Sequence, residues 1–447
     1  MNILIIGGGD IGFQLAKKLS LDRHNITLIE QDPQRVKRAR EQLDALVIEG
    51  NGTSYSVLKQ AKLDRIEAVA AMTDREAANI LACKIAKKAG VATTLARVRN
   101  PELAEPDFFL TSEEMGTDMI IHPEKETADA VVRLIRQSSA TDVLEFADGK
   151  IQVIGVRLEQ GSDLLHIPLS ELVHHFGNPP MRVLAVKRLQ QTIVPKGYTE
   201  LMAGDQIFAA CDPEYVQSFI EHTGQKDTKI NSIMILGGGL IGQFVASSLA
   251  KEINVKIIES DADKSQKIAD LLTHTLVIHG DGTDIDLLAT EGLLDMDAFI
   301  AVTGDDETNI IASLVARHLK IPRTIALVNK VEYIPITPQI GMDAVVSKKL
   351  LTVNAVQRFI QHQLAASIAS LPGLDAQFIE FIAQEGSKIT KKPLAELNFP
   401  KQAIIGAVMH DDKMLIAMGD THVHAGDKVV VFTQPQVLED VEKLFKK

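Results

Sequence analysis

Ile3-Leu4-Ile5-Ile6-Gly7-Gly8-Gly9-Asp10-Ile11-Gly12 is the stretch whose reading decides the fold. An apolar run feeds a glycine turn, and an amphipathic segment, residues 13–19, follows. Gly7, Gly9 and Gly12 form G-x-G-x-x-G between a strand and a helix. There the first glycine permits a tight turn and the second lets the backbone approach a pyrophosphate. The third lets the helix pack on its strand. Free N–H groups and the positive end of the helix dipole then face the phosphates. In a chain with 29 glycines the pattern alone is weak, so its context carries the weight. Glu30 ends the next apolar strand, residues 26–29, where an acid that holds a ribose hydroxyl is expected.

The pattern occurs twice. Ile233-Met234-Ile235-Leu236-Gly237-Gly238-Gly239-Leu240-Ile241-Gly242 repeats it, and Gly237 stands 230 residues after Gly7. Glu259 follows Val255-Lys256-Ile257-Ile258 as Glu30 follows its strand. The same offset relates Gly50 to Gly280, Thr73 to Thr303 and Asn79 to Asn309. Two chance motifs with two chance acids in register are improbable, so the chain reads as a tandem duplication. In each copy, short apolar runs alternate with helical segments, which predicts a parallel sheet with right-handed crossovers. Residues 143–223 and 377–447 differ, with short alternating strands and turns. Both carry a Gly-Asp turn before an apolar strand (Gly204-Asp205, Gly426-Asp427). The expected fold is α/β: a duplicated Rossmann-like, doubly wound domain, each copy followed by a small α+β domain. The expected boundaries are 1–123, 140–224, 230–348 and 367–447. Links are expected at 138–140, 223–228 and 370–375. Residues 123–136 and 349–363 read as helices leaving the nucleotide domains.

Composition narrows the function. A formal charge of −12 argues against nucleic acid or anionic membrane as a partner. The chain has no Trp and few aromatics, so base-stacking platforms are not expected. Cys83 and Cys211 fit no zinc or redox spacing, and reduced thiols in the cytosol are the simple reading. The first strand begins at once, leaving no room for a signal peptide. No run of 18 apolar residues suggests a membrane span.

Several segments together resemble one family. They are Gly7 to Gly12, Gly50-Asn51-Gly52-Thr53, Thr73-Asp74 and Ala96-Arg97-Val98-Arg99, followed by a small α+β domain. In the second half, Phe299-Ile300-Ala301-Val302-Thr303-Gly304-Asp305-Asp306-Glu307 and Ile404-Ile405-Gly406-Ala407-Val408 add to the likeness. The order is similar to the regulator-of-potassium-conductance (RCK, or KTN) family. Two such units in one chain resemble the regulatory subunits of Trk potassium-uptake systems. The resemblance implies a non-enzymatic, cytoplasmic protein held at the inner face of the membrane by its partner. It implies a homo-oligomeric ring under a potassium-translocating membrane subunit, gated by nucleotides. The first nucleotide site it implies uses Gly7, Gly8, Gly9, Asp10, Ile11 and Gly12, with Glu30, Thr73, Asp74 and, on the phosphates, Arg97. The second uses Gly237, Gly238, Gly239, Leu240, Ile241 and Gly242, with Glu259, Thr303 and Gly304. There Leu327 stands in place of Arg97, and Gly304 in place of Asp74. No arginine follows either acid directly (Gln31-Asp32, Ser260-Asp261), which favours NAD(H), with ATP and ADP as further candidates, over NADP(H).

Other residues have competing readings. Arg97 either contacts phosphate or pairs with Asp74 or Glu30. His422-x-His424 offers two imidazoles on one strand face, but with no third ligand nearby a solvated edge is expected rather than a metal site. His174-His175 reads as a helix surface. Asp305-Asp306-Glu307 reads as the acidic first turn of a helix rather than a cation site. An NAD-dependent oxidoreductase is the alternative function. It requires an acid/base group beside the nicotinamide, and the small domains show no such constellation. A purely structural scaffold is a third reading. For a regulator, a tenfold preference of a nucleotide for one ring state corresponds to about 1.4 kcal/mol per site. The helices at 123 and 349 are the candidate moving elements.

Overall fold

The computed structural model describes residues 1–447 except 105–107, 138, 173–175, 177–178, 190, 226–228, 338–339, 361–364 and 372–373. The three expected links and the His174-His175 pair fall wholly or partly outside the described residues. The chain divides into two compact units, Met1–Thr127 with Ser347–Gln361, and Ala128–Val346 with His362–Lys447.

The first unit holds six strands: β1 (Asn2–Ile6), β2 (Asn25–Glu30), β3 (Leu46–Glu49), β4 (Ala68–Ala71), β5 (Thr93–Arg97) and β6 (Met119–Ile121). Their order is β3-β2-β1-β4-β5-β6, and every neighbouring pair is parallel. The reversal beside β1 is the topological switch point, where ligands of such sheets bind. A parallel sheet must be covered on both faces, and β1 is apolar throughout for that reason. Ile3 and Ile5 join Leu15 and Leu19 of the helix Asp10–Leu21 in one core. Leu4 and Ile6 join Ala82, Cys83 and Ala86 of the helix Glu76–Lys88 in the other. Burial pushes the Cys83 thiol up to about 12, so it holds no reactive thiolate near neutrality.

The first core also contains Val353, Val356 and Ile360, from the helix Lys348–Ile360. The segment after the second nucleotide domain is helical, as expected, but its apolar face is buried against the first. Gln357 donates to Asp22 Oδ2 at 2.6 Å. Lys348 pairs with the buried Glu124 at 3.3 Å, and Lys349 with Asp10 at 3.9 Å.

The second unit repeats the sheet with β12 (Ser232–Leu236), β13 (Asn254–Glu259), β14 (Thr275–His279), β15 (Ala298–Ala301), β16 (Arg323–Leu327) and β17 (Ala344–Val346). The order β14-β13-β12-β15-β16-β17 is the first copy's, again all parallel. Two antiparallel sheets complete the unit. One runs β10-β9-β11-β8-β7, from β7 (Asp142–Phe146), β8 (Ile151–Arg157), β9 (Met181–Arg188), β10 (Gln191–Ile193) and β11 (Gln206–Cys211). The other runs β18-β19-β22-β20-β21, from β18 (Ala365–Ser370), β19 (Gln377–Ile382), β20 (Ala403–His410), β21 (Lys413–Ile416) and β22 (Lys428–Thr433). The two small sheets share a core in which Phe208 and Phe378 lie 5.9 Å apart between ring centres. Gly406 makes the approach possible, since a Cβ there would stand 2.7 Å from Leu184 Cδ2. No helix among the described residues is long and apolar enough to cross a membrane.

Ile360→Ala removes a buried side chain from the first unit and should cost about 2–5 kcal/mol. Thermal unfolding with hydrogen exchange checks this. Exchange should rise in β1 and the helix Asp10–Leu21, which share that core.

Candidate functional site

The chain turns at the end of β1 because Gly7 adopts φ +101°. Its N–H donates to the Ile29 carbonyl at 2.8 Å. A Cβ on Gly7 would stand 2.9 Å from Thr73 Cγ2, so the turn rests on the tip of β4. A Cβ on Gly12 would lie 1.9 Å from the Gly7 carbonyl oxygen, so the helix abuts the turn itself. Gly9 differs. Its φ of −63° suits any residue, and a Cβ would meet only Arg35 Nη1, at 3.5 Å. The loop leaves open the one position a pyrophosphate must approach. Of the other loop residues, Ile11 is buried in the core and Asp10 is exposed beside Lys349.

Glu30 clamps this loop. Oε2 accepts the Gly8 N–H at 2.5 Å, and Oε1 accepts those of Gln31 at 2.7 Å and Asp32 at 2.9 Å. Each oxygen has two lone pairs, so Oε2 keeps one for a ribose hydroxyl. Asp32 then caps the next helix through the N–H groups of Gln34 and Arg35. The glycine-loop helix has no such cap: Gly9 at its N-cap offers no side chain. Its first N–H groups are left for an anion.

The second copy is built the same way. Gly237 has φ +107°, and a Cβ on Gly242 would stand 2.2 Å from the Gly237 carbonyl oxygen. Gly239 has open space where a Cβ would be, and its helix is likewise uncapped. Ile241 is buried and Leu240 half-buried. Glu259 Oε2 accepts the Gly238 N–H at 3.1 Å, and Oε1 that of Asp261 at 3.1 Å. Lys264 adds an ion pair to Oε2. Burial raises this carboxyl, but Lys264 and the two N–H groups outweigh it and hold Glu259 below the usual range. The cleft, about 460 Å³, is lined by Gly237, Gly239, Glu259, Thr303 and Gly304 among others. It therefore gathers five of the predicted residues and adds Lys264, Asp281 and Thr283.

The tips of β4 and β5 are held by a buried asparagine. Asn79 Oδ1 accepts the Thr73 N–H at 3.0 Å and its hydroxyl at 2.6 Å. Asn79 Nδ2 donates to the carbonyls of Thr73 at 3.0 Å and Arg97 at 2.8 Å. Asn309 repeats all four bonds with Thr303 and Leu327. The register of the repeat exposes these asparagines, but only the fold shows what they tie together.

Arg97 makes neither expected ion pair within 4.0 Å among the described residues. Nη1 donates weakly to the Thr73 carbonyl at 3.4 Å, and Nε is buried without a partner. Burial lowers its pKa, and the charge of Glu124 opposes that shift. Asp74 is exposed at the tip of β4. The fold also brings two cations to the loops that the sequence motifs do not mark, Arg35 and Lys264. Each sits in the first turn of the helix after the acid, near the glycine loop or on the acid itself.

The acidic run at 305–307 is occupied by protein. Asp305 caps its helix through the Thr308 N–H at 2.8 Å. Asp306 accepts from the N–H groups of Asn329 and Lys330 at 2.9 and 2.7 Å. Glu307 pairs with Lys330 and accepts from the Tyr333 hydroxyl at 3.0 Å. The histidine pair reads differently from expectation. His424 does have neighbours bearing ligand atoms, His410 and Asp427, brought in from β20 and from the turn before β22. His422 instead contacts the Thr390 carbonyl at 3.1 Å.

Comparison with known proteins follows this geometry closely. The TrkA-N domain model matches residues 3–123 and 233–348, and the TrkA-C domain model matches 153–224 and 378–446. Trk system potassium uptake protein TrkA homolog 1 of Methanosarcina mazei is 34% identical, covering 100% of both chains. Trk system potassium uptake protein TrkA of Azorhizobium caulinodans is 29% identical, covering 100% of this chain and 99% of its own. The crystal structure of the GsuK RCK domain matches with a TM-score of 0.62 at 19% identity, over 99% of this chain and 94% of that one. The GsuK channel bound to NAD matches with a TM-score of 0.61 at 19% identity, over 99% and 78%. The likeness to GsuK is one of fold. With two TrkA-N domains, each followed by a TrkA-C domain, the chain belongs to the TrkA family.

Proposed function

We propose that this chain is a nucleotide-sensing regulatory subunit of a potassium-uptake system, gating a potassium-translocating membrane protein. The observation that carries this reading is the repeated, uncapped glycine loop whose middle position, Gly9 or Gly239, is the open one. The names of the Methanosarcina mazei and Azorhizobium caulinodans relatives supply the potassium-uptake context. GsuK, whose fold this chain shares, is known bound to NAD and to ADP, which indicates the class of ligand. NAD(H) is the leading ligand, with ATP and ADP as competitors at the same clefts. The chain works in a homo-oligomeric ring at the cytoplasmic face, attached through its partner, and carries out no catalysis. Nucleic acid has no part in it.

Gating requires that the nucleotide bind two states unequally. The helix Lys348–Ile360 is the element that couples them. Lys349 reaches the glycine loop through Asp10, while Val353, Val356 and Ile360 bury the same helix in the domain's core. Phosphate at the loop competes with Asp10 for Lys349 and so draws on this helix.

Gly9→Ala and Gly239→Ala should fold with a loss of no more than about 1 kcal/mol, since a methyl fits both places and only the N-cap preference for Gly over Ala opposes it. Together they should weaken nucleotide binding at least tenfold. They should also abolish any nucleotide effect on potassium flux through liposomes carrying the membrane partner. A flux that responds to nucleotide equally with both variants would refute the proposal. Gly12→Ala, by contrast, should lose stability by about 1–3 kcal/mol or more, because its methyl collides with backbone. Chemical unfolding of the three variants separates the two glycine roles.

A further inference from the structure

In the first small sheet, Arg188 ends β9 and grips the buried Asp205 of the Gly-Asp turn. Nε donates to Oδ1 at 2.8 Å and Nη2 to Oδ2 at 2.7 Å, while the Met202 N–H also reaches Oδ2, at 2.9 Å. The second small sheet keeps the aspartate and the turn but changes what surrounds them. Asp427, His410 and His424 stand 222 residues after Asp205, Arg188 and Met202 respectively. The His424 N–H still reaches Asp427 Oδ2, at 2.7 Å, so the backbone of the turn is conserved between the copies. The permanent charge of the guanidinium has gone, and two imidazoles take its place.

We propose that His410, His424 and Asp427 form a binding site for a divalent transition-metal ion, with Zn²⁺ as its natural probe. A nitrogen of each histidine and a carboxylate oxygen of Asp427 lie within 4.8 Å of one another. His410 Nδ1 is 2.7 Å from Oδ1, and His424 Nδ1 is 3.7 Å from Oδ2. The imidazole rings are 4.5 Å apart. Ligand atoms on tetrahedral zinc are about 3.3 Å apart, so small side-chain rotations complete the site. Two imidazoles and one carboxylate suit zinc and its neighbours rather than magnesium or calcium, which take oxygen. Three protein ligands leave a fourth position for water. Asp427 is 5% exposed and His424 largely exposed, so the carboxylate is fixed and the ion has access. The ion supplies the positive charge that Arg188 supplies in the first copy.

Calorimetric titration of untagged protein with Zn²⁺ should show one such site per chain. His424→Ala, at an exposed position, should weaken that binding at least tenfold. His410→Arg should do the same while restoring the pair seen in the first copy, so metal-free it should melt no lower than wild type. Absence of stoichiometric Zn²⁺ binding by the wild type, or binding unchanged in His424→Ala, would overturn the proposal. Should His410→Arg fail to fold, His424→Ala decides alone.

Discussion

The structure turns on one carboxylate per nucleotide domain. A tight glycine turn exposes backbone N–H groups, and those that face inward need acceptors. Glu30 meets this need with both oxygens, joining the loop after β1 to the segment after β2. Glu259 does the same, with Lys264 on its outer side. Gly8 serves this clamp: a Cβ there would stand 3.2 Å from Glu30 Oε2. The acid is thus a structural member before it is a ligand. Removing it leaves N–H groups unpaired at about 1–3 kcal/mol each when buried. Glycines are consequently needed in this loop for three different reasons, and only Gly9 and Gly239 are free to serve a bound phosphate.

Much of this was legible in the sequence because it is local. The apolar run of β1, the glycine spacing and the strand-ending acid lie within the first 30 residues, and the repeat at a constant offset confirms their meaning. The two parallel sheets follow from the alternation of strands and helices. What was illegible depends on partners far away in the chain. The helix Lys348–Ile360 is amphipathic by pattern, but nothing in its pattern says that Leu15 and Phe13 lie against it. The shared core of the small sheets is equally hidden, as Phe208 and Phe378 are 170 positions apart. His410 ends β20, fourteen residues before His424 in the turn before β22, so sequence proximity alone does not bring it to the histidine pair. Arg35 is hidden for a similar reason: it stands five residues after Glu30, and only the turn of the following helix brings it to the glycine loop.

Duplication lets the two copies be read against each other. Where they agree, the physics of the fold is at work: the glycine turn and the carboxylate clamp recur, and the buried asparagine repeats bond for bond. Where they differ, the change is in charge. Arg97 is replaced by Leu327 and Asp74 by Gly304, while the cation at Arg35 is kept as Lys264. Arg188 gives way to His410. At the end of β5 the half-buried Arg97 keeps an unpartnered Nε and feels the charges of Glu124 and Asp74 without a close ion pair. A partly desolvated cation without a close ion pair gains from a phosphate oxygen, which offsets its desolvation. The second cleft carries no such demand. We propose that the two clefts differ in their grip on phosphate rather than in their architecture.

The central claim is tested most directly by calorimetric titration of ATP and NADH into the wild type and into Arg97→Leu, which gives the first cleft the side chain of the second. Two unequal classes of nucleotide site per chain are predicted for the wild type, merging into one weaker class in the variant. An isotherm unchanged by the substitution, or no binding at either cleft, would contradict the account.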